Sequence, residues 1–139
     1  WDMALQLLAE MRDEGLAPDV IAYSAGVSAC SRGQRWEQAL HFLLEMHESR
    51  VPPDVIAYNS TISACAAGQQ WAQALGLLQR MPGEGVQPDV VTFGAAISAC
   101  ERGRLWELAW GLLLRMRGQG VRPNVVAFSA VVSACEKCQ

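Results

Sequence analysis

Four side chains with hydrogen-bonding end groups recur at one spacing in this sequence, each directly after a proline. They are Asp19, Asp54, Asp89 and Asn124, and consecutive members lie 35 residues apart. A carboxylate only accepts hydrogen bonds, whereas the amide of asparagine both donates and accepts them. Aspartate and asparagine cap helix N termini about equally well, so the change at position 124 is neutral for capping. It does change which hydrogen-bonding group a ligand would have to offer.

Cysteine follows the same period, which raises the question of metal or disulfide chemistry. The four periodic cysteines are Cys30, Cys65, Cys100 and Cys135. Neighbouring helices pack about 8–10 Å apart, whereas a disulfide needs Cα atoms within about 7 Å, so we expect small buried thiols. Cys135 and Cys138 form a CxxC motif, but there is no second pair, and His41 and His47 lie on a different predicted helix. The sequence therefore predicts no metal site.

No other combination of residues indicates catalysis. The sequence has no nucleophile with an adjacent base, no glycine-rich phosphate loop and no acidic metal cluster. Its other carboxylates are typical of solvated outer helix faces, and they include Glu10, Asp13, Glu14, Glu37, Glu45 and Glu48. We therefore predict that the chain is not an enzyme and needs no cofactor.

The recurring side chains must be positioned by a repeated structural unit. Proline recurs every 35 residues at Pro18, Pro53, Pro88 and Pro123. The same period holds for Trp1, Trp36, Trp71 and Trp106, and for Met11, Met46, Met81 and Met116. A fixed period of this length is typical of a solenoid, in which each unit buries its apolar faces against its neighbours.

Each unit is predicted to contain two helices. Asp19 caps the first helix, in which Val20, Tyr23, Val27 and Cys30 form one apolar stripe at helical spacing. We expect Gly33 to end this helix in a tight turn. A second apolar stripe follows from Trp36 to about Met46, and its helix is expected to end near Arg50. Pro52 and Pro53 then force an extended link to the next unit.

Because no segment shows the alternation of a strand, the predicted class is all-α. We expect an α-solenoid of stacked antiparallel helix–turn–helix repeats with eight helices over residues 1–139. Residues 20–54, 55–89 and 90–124 form complete repeats, and 1–19 and 125–139 are partial. The apolar ends of such an array are normally covered by further repeats or caps, so we expect further repeats or domains outside this chain.

Three details of the units carry their own predictions. Pro82 and Gly83 directly follow Met81, so the second helix of the middle repeat is expected to end about a turn early. Arg50 occupies the place of a glycine in the other units, which predicts a turn that closes differently. The periodic tryptophans lie on the second helices, and we expect them in the core.

Composition excludes several classes of protein. A hydrophobic content of 51% with 18% charged residues indicates a globular chain. No apolar run approaches the roughly 18 residues that span a membrane. The chain does not begin with methionine, and we expect any targeting peptide to lie outside it. A net charge of −3 argues against a polycation that holds nucleic acid by phosphate neutralisation alone. It is compatible with a protein that contacts bases.

The chain resembles the pentatricopeptide repeat family along essentially its whole length. The resemblance rests on a 35-residue helical hairpin, on "PDVIAYNSTISAC" at the first helix, and on the pattern WxxALxLLxxM in the second. The tetratricopeptide repeat is the nearest alternative, but it has 34 residues and a different first-helix pattern. The resemblance implies a right-handed superhelix and sequence-specific binding of single-stranded RNA in mitochondria or chloroplasts, with one base per repeat. The expected outcome for the RNA is processing, stabilisation or translation.

The resemblance also assigns roles to individual positions. The fifth and last residues of each unit would contact base edges, namely Asp19, Ser24, Asp54, Asn59, Asp89, Gly94, Asn124 and Ser129. The second residue of each unit would clamp the base, namely Ile21, Ile56, Val91 and Val126. Basic residues near the end of the first helix would contact the RNA backbone, namely Arg32, Arg102 and Lys137.

The chemistry of these side chains is compatible with the implied roles. Aspartate can accept from the imino N–H of uracil or guanine, whereas asparagine can donate to the ring nitrogen of adenine or cytosine. By family resemblance, the Ser24–Asp54 combination prefers guanine, Asn59–Asp89 prefers uracil and Gly94–Asn124 weakly prefers adenine. The three complete repeats would then prefer 5′-G-U-A-3′.

One alternative remains open on the sequence. The same helical array could use its groove to bind a peptide, as tetratricopeptide solenoids do. The acidic isoelectric point of about 5.3 favours this alternative. RNA is favoured because the residues that vary between units concentrate at the proposed base-reading positions.

Overall fold

The computed structural model describes residues 2–16 and 19–137, and within them it contains the eight helices expected from the sequence and no strand. The helices are α1 (Asp2–Asp13), α2 (Val20–Arg32), α3 (Trp36–Glu48), α4 (Val55–Ala67), α5 (Trp71–Arg80), α6 (Val90–Arg102), α7 (Trp106–Gly118) and α8 (Val125–Lys137). A 3₁₀ turn, Pro82–Glu84, follows α5. The all-α prediction is confirmed. No helix of the described ranges is long and apolar enough to cross a membrane.

The first helices begin where the sequence predicts, because each has a side-chain cap. Asp19 and Asp54 each accept a hydrogen bond from a backbone N–H three residues on, at 2.9 Å. Asp89 and Asn124 do the same at 3.0 Å. These bonds satisfy amides that have no partner inside the helix. Capping is therefore a confirmed role of all four recurring side chains.

The core consists of the predicted apolar stripe together with the second helices. Tyr23, Val27 and Cys30 of α2 are buried, as are their equivalents in α4 and α6. Leu43 and Met46 of α3 pack against them, and the later second helices repeat this contact. Each unit thus supplies one face to its neighbours, which is what makes the stack continuous.

The helices form two layers with different spacing. The first helices are direct neighbours, since α2 packs against α4, α4 against α6 and α6 against α8. Over residues 2–16 and 19–137, no two second helices bring their backbones together in this way. Because the more closely spaced layer of a curved stack is the inner one, the first helices line its concave side. Their exposed residues therefore converge on one surface.

The first helix ends at the predicted glycine, with α2 ending at Arg32 and Gly33 as its C-cap in a tight turn. The backbone angles do not explain why this residue is glycine, because φ of Gly33 is −83°, which any residue can adopt. The left-handed conformation falls on the next residue, with φ of 57° at Gln34, 61° at Gln69 and 59° at Arg104. The glycine at this place is therefore not required by its backbone angles.

Glycine is required at this place because a tryptophan of the preceding unit leaves no room for a side chain. The prediction for the tryptophans is wrong for two of them. A Cβ on Gly68 would overlap Cδ1 of Trp36 in the preceding unit, and one on Gly103 would lie 2.9 Å from the same atom of Trp71. The tryptophans were expected in the core, yet Trp71 is 39% and Trp106 42% exposed. Trp36 is partly buried and packs against the core. Trp36 and Trp71 thus lie at the seam between units, each against the glycine of the following unit. Trp1 lies outside the described residues.

The turns between units are more uniform than predicted. Arg50 was expected to close its turn differently, but its φ is 60°, close to the 77° of Gly85. In both turns the residue that follows donates its N–H to a methionine carbonyl, Val51 to Met46 at 2.8 Å and Val86 to Met81 at 3.0 Å. The early end of α5 at Arg80 confirms the effect predicted for Pro82.

Three periodic cysteines are buried free thiols, as predicted, and the fourth is not. Cys30, Cys65 and Cys100 are free and buried, whereas Cys135 is free and exposed. Burial raises the pKa of Cys65 and of Cys100 to about 11. Cys138 lies outside the described residues.

This difference predicts selective alkylation of the native protein. At pH 8 iodoacetamide should modify Cys135 readily and Cys65 and Cys100 about 100-fold more slowly, because the thiolate is the nucleophile and burial suppresses it. Peptide mass spectrometry over a time course measures each rate. In urea all of these cysteines should react alike, and equal rates in the native protein would contradict the burial of Cys65 and Cys100.

Candidate functional site

Two of the predicted residue pairs are in direct contact on the concave side. Ser24 Oγ donates to Asp54 Oδ1 at 3.1 Å, and Asn59 Nδ2 donates to Asp89 Oδ1 at 3.1 Å. Ser24 and Asn59 each lie one turn into the first helix of a unit. Asp54 and Asp89 each cap the first helix of the unit that follows. Stacking of the units therefore brings together side chains that are 30 residues apart in sequence.

These pairs and the flanking aliphatic side chains define three slots. The first slot is formed by Ile21, Ser24, Asp54 and Ile56. The second slot is formed by Ile56, Asn59, Asp89 and Val91. The third slot is formed by Val91, Gly94, Asn124 and Val126. Successive slots share an aliphatic residue, so one slot lies between each pair of neighbouring first helices.

The aliphatic residues of the slots are unusually open to solvent for their type. The exposed fraction is 74% for Ile21, 56% for Ile56 and Val91, and 59% for Val126. Such side chains gain free energy when a flat apolar surface covers them, at about 25 cal/mol per Å² of area removed from water. Their spacing of one unit suits a series of flat groups, each held between two aliphatic side chains.

The third slot contains an open cavity of about 280 Å³, lined by Val91, Gly94, Asn124 and Val126 together with Ser63 and Ser98. Gly94 contributes no side chain, so the contact seen in the other two slots is missing here. The side-chain oxygen of Asn124, Oδ1, accepts the backbone N–H of Ala127 at 3.0 Å and so caps the helix. This bond orients the amide and leaves its NH₂ group as the donor that Asn124 can offer to a ligand.

The second slot has an extra residue that sequence reasoning missed. Thr92 is fully buried, and its hydroxyl lies within hydrogen-bond distance of Asn59 Oδ1 and, at 2.9 Å, of Asp89 Oδ1. Burial raises the pKa of the Asp89 carboxyl, but hydrogen bonds from Thr92 and Asn59 outweigh this effect, and the pKa is lowered overall. The available signal was the threonine itself, since Ala22, Ala57 and Ala127 occupy the same place.

Some polar side chains in and near the slots bond to one another within the protein. Ser24 is only 7% exposed, because it bonds to Asp54. Ser28 and Ser60 share a hydrogen bond of 3.2 Å between neighbouring first helices. Asp19 and Ser129 are exposed at the two ends of the described surface.

The predicted basic residues all lie at the C-terminal ends of first helices, where the helix dipole favours a cation. Arg32 is exposed at the end of α2. Arg102 donates to the Ala66 carbonyl oxygen of the preceding unit at 3.1 Å, and Lys137 pairs with Glu101 at 3.0 Å. Two of the three cations thus bond to protein groups in this conformation. No cluster of three or more potential metal ligands occurs among the residues described by the structure.

Family models match successive parts of the chain. A model described as "Pentatricopeptide repeat domain" matches residues 3–67, one described as "PPR repeat family" matches 53–102, and one described as "PPR repeat" matches 91–121. Together these matches run from residue 3 to residue 121 and include all three slots except Val126 and Asn124. No curated protein matches the chain.

Solved structures show the same arrangement of helices. PPR10 in complex with an 18-nucleotide psaJ RNA element superposes with a TM-score of 0.80 at 30% identity over 94% of this chain. PPR10 from maize gives a TM-score of 0.83 at 21% identity over 99% of the chain. The chain spans 20% of the length of PPR10 in both comparisons. The PPR domain of Arabidopsis thaliana protein-only RNase P 1, in complex with tRNA, gives a TM-score of 0.87 at 19% identity, covering 97% of this chain and 72% of that one.

Proposed function

The chain belongs to the pentatricopeptide repeat family, and on this premise we propose that it binds single-stranded RNA sequence-specifically, with one base in each slot. The observation that carries the proposal is the pairing of Ser24 with Asp54 and of Asn59 with Asp89 between exposed aliphatic side chains. A base needs both a flat apolar enclosure and polar groups at its edge. Each slot offers both where two neighbouring repeats meet.

The first two slots present an acceptor to the base. Oδ1 of Asp54 and of Asp89 already accepts the capping N–H and the neighbouring side chain. An ionised carboxylate has about four lone-pair sites, so acceptor capacity remains for an imino N–H of guanine or uracil. The partner then separates the two bases, since the short Ser24 leaves room for a purine and the longer Asn59 favours a pyrimidine. We assign guanine to the first slot and uracil to the second.

The third slot presents a donor. Because Asn124 Oδ1 accepts the capping N–H of Ala127, the side-chain NH₂ group of Asn124 would donate to the ring nitrogen of adenine or cytosine. The cavity beside Gly94 leaves room for the larger base. We therefore assign adenine, and the chain is proposed to prefer 5′-G-U-A-3′ along its first helices.

The remaining features of the proposal follow from charge and from family. We propose that Arg32, Arg102 and Lys137 contact phosphates, with Arg102 and Lys137 exchanging their present protein partners for the RNA. Few cations would then be engaged, so affinity should fall with salt by a modest slope. PPR10 crystallised with an RNA element supports RNA as the ligand class. We further propose that the chain acts in organellar RNA processing, stability or translation without catalytic activity of its own.

Base preference in the second slot tests the function directly. Fluorescence anisotropy with unstructured 12-nucleotide RNAs that differ only in the base after guanine should show about a tenfold preference for uracil. Asn59→Ala removes the donor to Asp89 and the group at the base edge. It should reduce this preference to about twofold, because a hydrogen bond to a charged group contributes about 1.5–3 kcal/mol.

The third slot serves as the internal control in this experiment. Asn59→Ala should leave the preference for adenine there unchanged, since Gly94 and Asn124 lie one unit further on. Circular dichroism confirms that the variant is folded. Equal affinity of the unaltered chain for all four bases in the second slot, measured at saturation, would rule out one base per repeat.

A further inference from the structure

Thr92 is the only third residue of a first helix in this chain that has a hydroxyl group. The others are Ala22, Ala57 and Ala127. Its side chain is fully buried and does not face a ligand directly. It forms a capping box with Asp89, accepting the Asp89 N–H at 3.1 Å while its own N–H donates to Asp89 Oδ1 at 3.0 Å. These two bonds do not show which atom accepts the proton of the Thr92 hydroxyl.

The chemistry of the neighbours decides where that proton goes. The Asp89 carboxylate only accepts, so the Asn59 amide must turn its NH₂ group towards it, as the 3.1 Å bond from Nδ2 shows. The amide oxygen of Asn59 then lies against Thr92 Oγ1. The Thr92 hydroxyl has one proton and two acceptors within reach, the Asn59 amide oxygen and Asp89 Oδ1 at 2.9 Å. Asp89 Oδ1 already accepts from Asn59 Nδ2 and from the Thr92 backbone N–H, whereas the contact between Oγ1 and the Asn59 oxygen needs a proton. Thr92 therefore donates to Asn59.

We propose that Thr92 is a positioning residue that holds the Asn59 amide in one orientation and thereby sets the base selectivity of the second slot. The selectivity part of this inference rests on the proposed RNA-binding function. The orientation part is a property of the protein alone. The first slot has no such lock, because Ala57 occupies the place equivalent to Thr92.

A fixed amide distinguishes uracil from cytosine. With its oxygen held by Thr92, Asn59 can present only its second N–H to a base, beside the acceptor of Asp89. This donor–acceptor pair matches the carbonyl oxygen and imino N–H of uracil. The corresponding edge of cytosine has an amino donor and a ring-nitrogen acceptor, which is the opposite arrangement. If the amide could rotate, its oxygen could accept from the cytosine amino group, and the distinction would weaken.

The test uses variants that differ in one hydroxyl group. Thr92→Val keeps the shape but removes the donor, whereas Thr92→Ser keeps the donor. We expect Thr92→Val to lower the ratio of uracil to cytosine affinity in the second slot by about 5–10-fold, and Thr92→Ser to retain it. Thr61→Val is the matched control, because Thr61 is equally buried on α4 but donates to the Ala57 carbonyl oxygen at 2.8 Å. Thr92→Ala, which recreates the residue of the other units, replaces Thr92→Val if the latter does not fold.

A second measurement needs no RNA. In NMR spectra the side-chain ¹H–¹⁵N signals of Asn59 should move in Thr92→Val and stay in Thr61→Val. Unchanged Asn59 signals would overturn the proposed orientation, whatever the RNA result.

The outcomes separate this inference from the function on which it rests. If the unaltered chain prefers uracil and Thr92→Val preserves the uracil-to-cytosine ratio, the selectivity role is wrong and RNA binding stands. If the unaltered chain shows no base preference, the proposed function fails, and with it the selectivity role. The Asn59 signals then still decide whether Thr92 holds the amide.

Discussion

Asn124→Asp is expected to change the preferred base of the third slot from adenine to guanine. The cap is retained, because aspartate accepts the Ala127 N–H as well as asparagine does. The group offered to the base changes from a donor to an acceptor, which repels the ring nitrogen of adenine and binds the imino N–H of guanine. Since one favourable contact is lost and another gained, the ratio of the two affinities should change by about 100-fold.

Anisotropy titrations with 5′-G-U-A-3′ and 5′-G-U-G-3′ embedded in the same RNA measure this ratio. The reciprocal variant is Asp54→Asn, which should move the first slot from guanine towards adenine. Melting temperatures should stay close to that of the unaltered chain in both variants, because each keeps a capping side chain. An unchanged ratio in Asn124→Asp would leave residue 124 with a capping role only.

Gly68→Ala is expected to destabilise the fold by about 1–3 kcal/mol, the usual range for overpacking a filled site. The added Cβ would overlap Cδ1 of Trp36 and lie 3.0 Å from its Cγ. The indole is a rigid ring, so it must swing away and open the seam between two units. Backbone strain contributes nothing, because φ at Gly68 is −85°.

Gly76→Ala, in the helix that follows Gly68, is expected to raise the free energy of unfolding. Gly76 lies inside α5, and a Cβ there would have no atom within 4 Å. Alanine should therefore stabilise the protein by about 0.5–1 kcal/mol through helix propensity alone. Urea unfolding followed by circular dichroism measures both variants. If Gly68→Ala is as stable as the unaltered chain, the tryptophan seam does not constrain this position.

Helix order and the burial pattern of the first helices could be predicted from the sequence because both depend on local rules. An aspartate or asparagine after proline caps a helix within three residues of itself, as at Asp19 and Asp54. The stripe of Tyr23, Val27 and Cys30 is a matter of helical spacing, and its burial follows from amphipathicity. The 35-residue period then predicts that the units stack.

The details that the sequence reasoning missed involve contacts between units. Gly68 lies in a turn, but its contact with Trp36, 32 positions earlier in the chain, could not be predicted. The hydrogen bond from Ser24 to Asp54 joins two helices and was not predicted either. Thr92 attracted no attention because its effect acts through Asn59, on a different helix. Periodicity predicts that units are adjacent, but it does not specify which atoms meet.

The sequence by itself thus determined the class of fold and the helix caps, which depend on residue type and on spacing within about one helix length. The side chains proposed to contact a base were assigned by family resemblance. Tertiary structure alone decided that Ser24 meets Asp54, that Thr92 orients Asn59, and that the Asn124 amide has its oxygen bonded and its NH₂ group left to donate. Whether a hydrogen bond forms depends on differences of a few tenths of an ångström in the donor–acceptor distance and on its direction. Only the packing of one unit on the next sets that distance and direction.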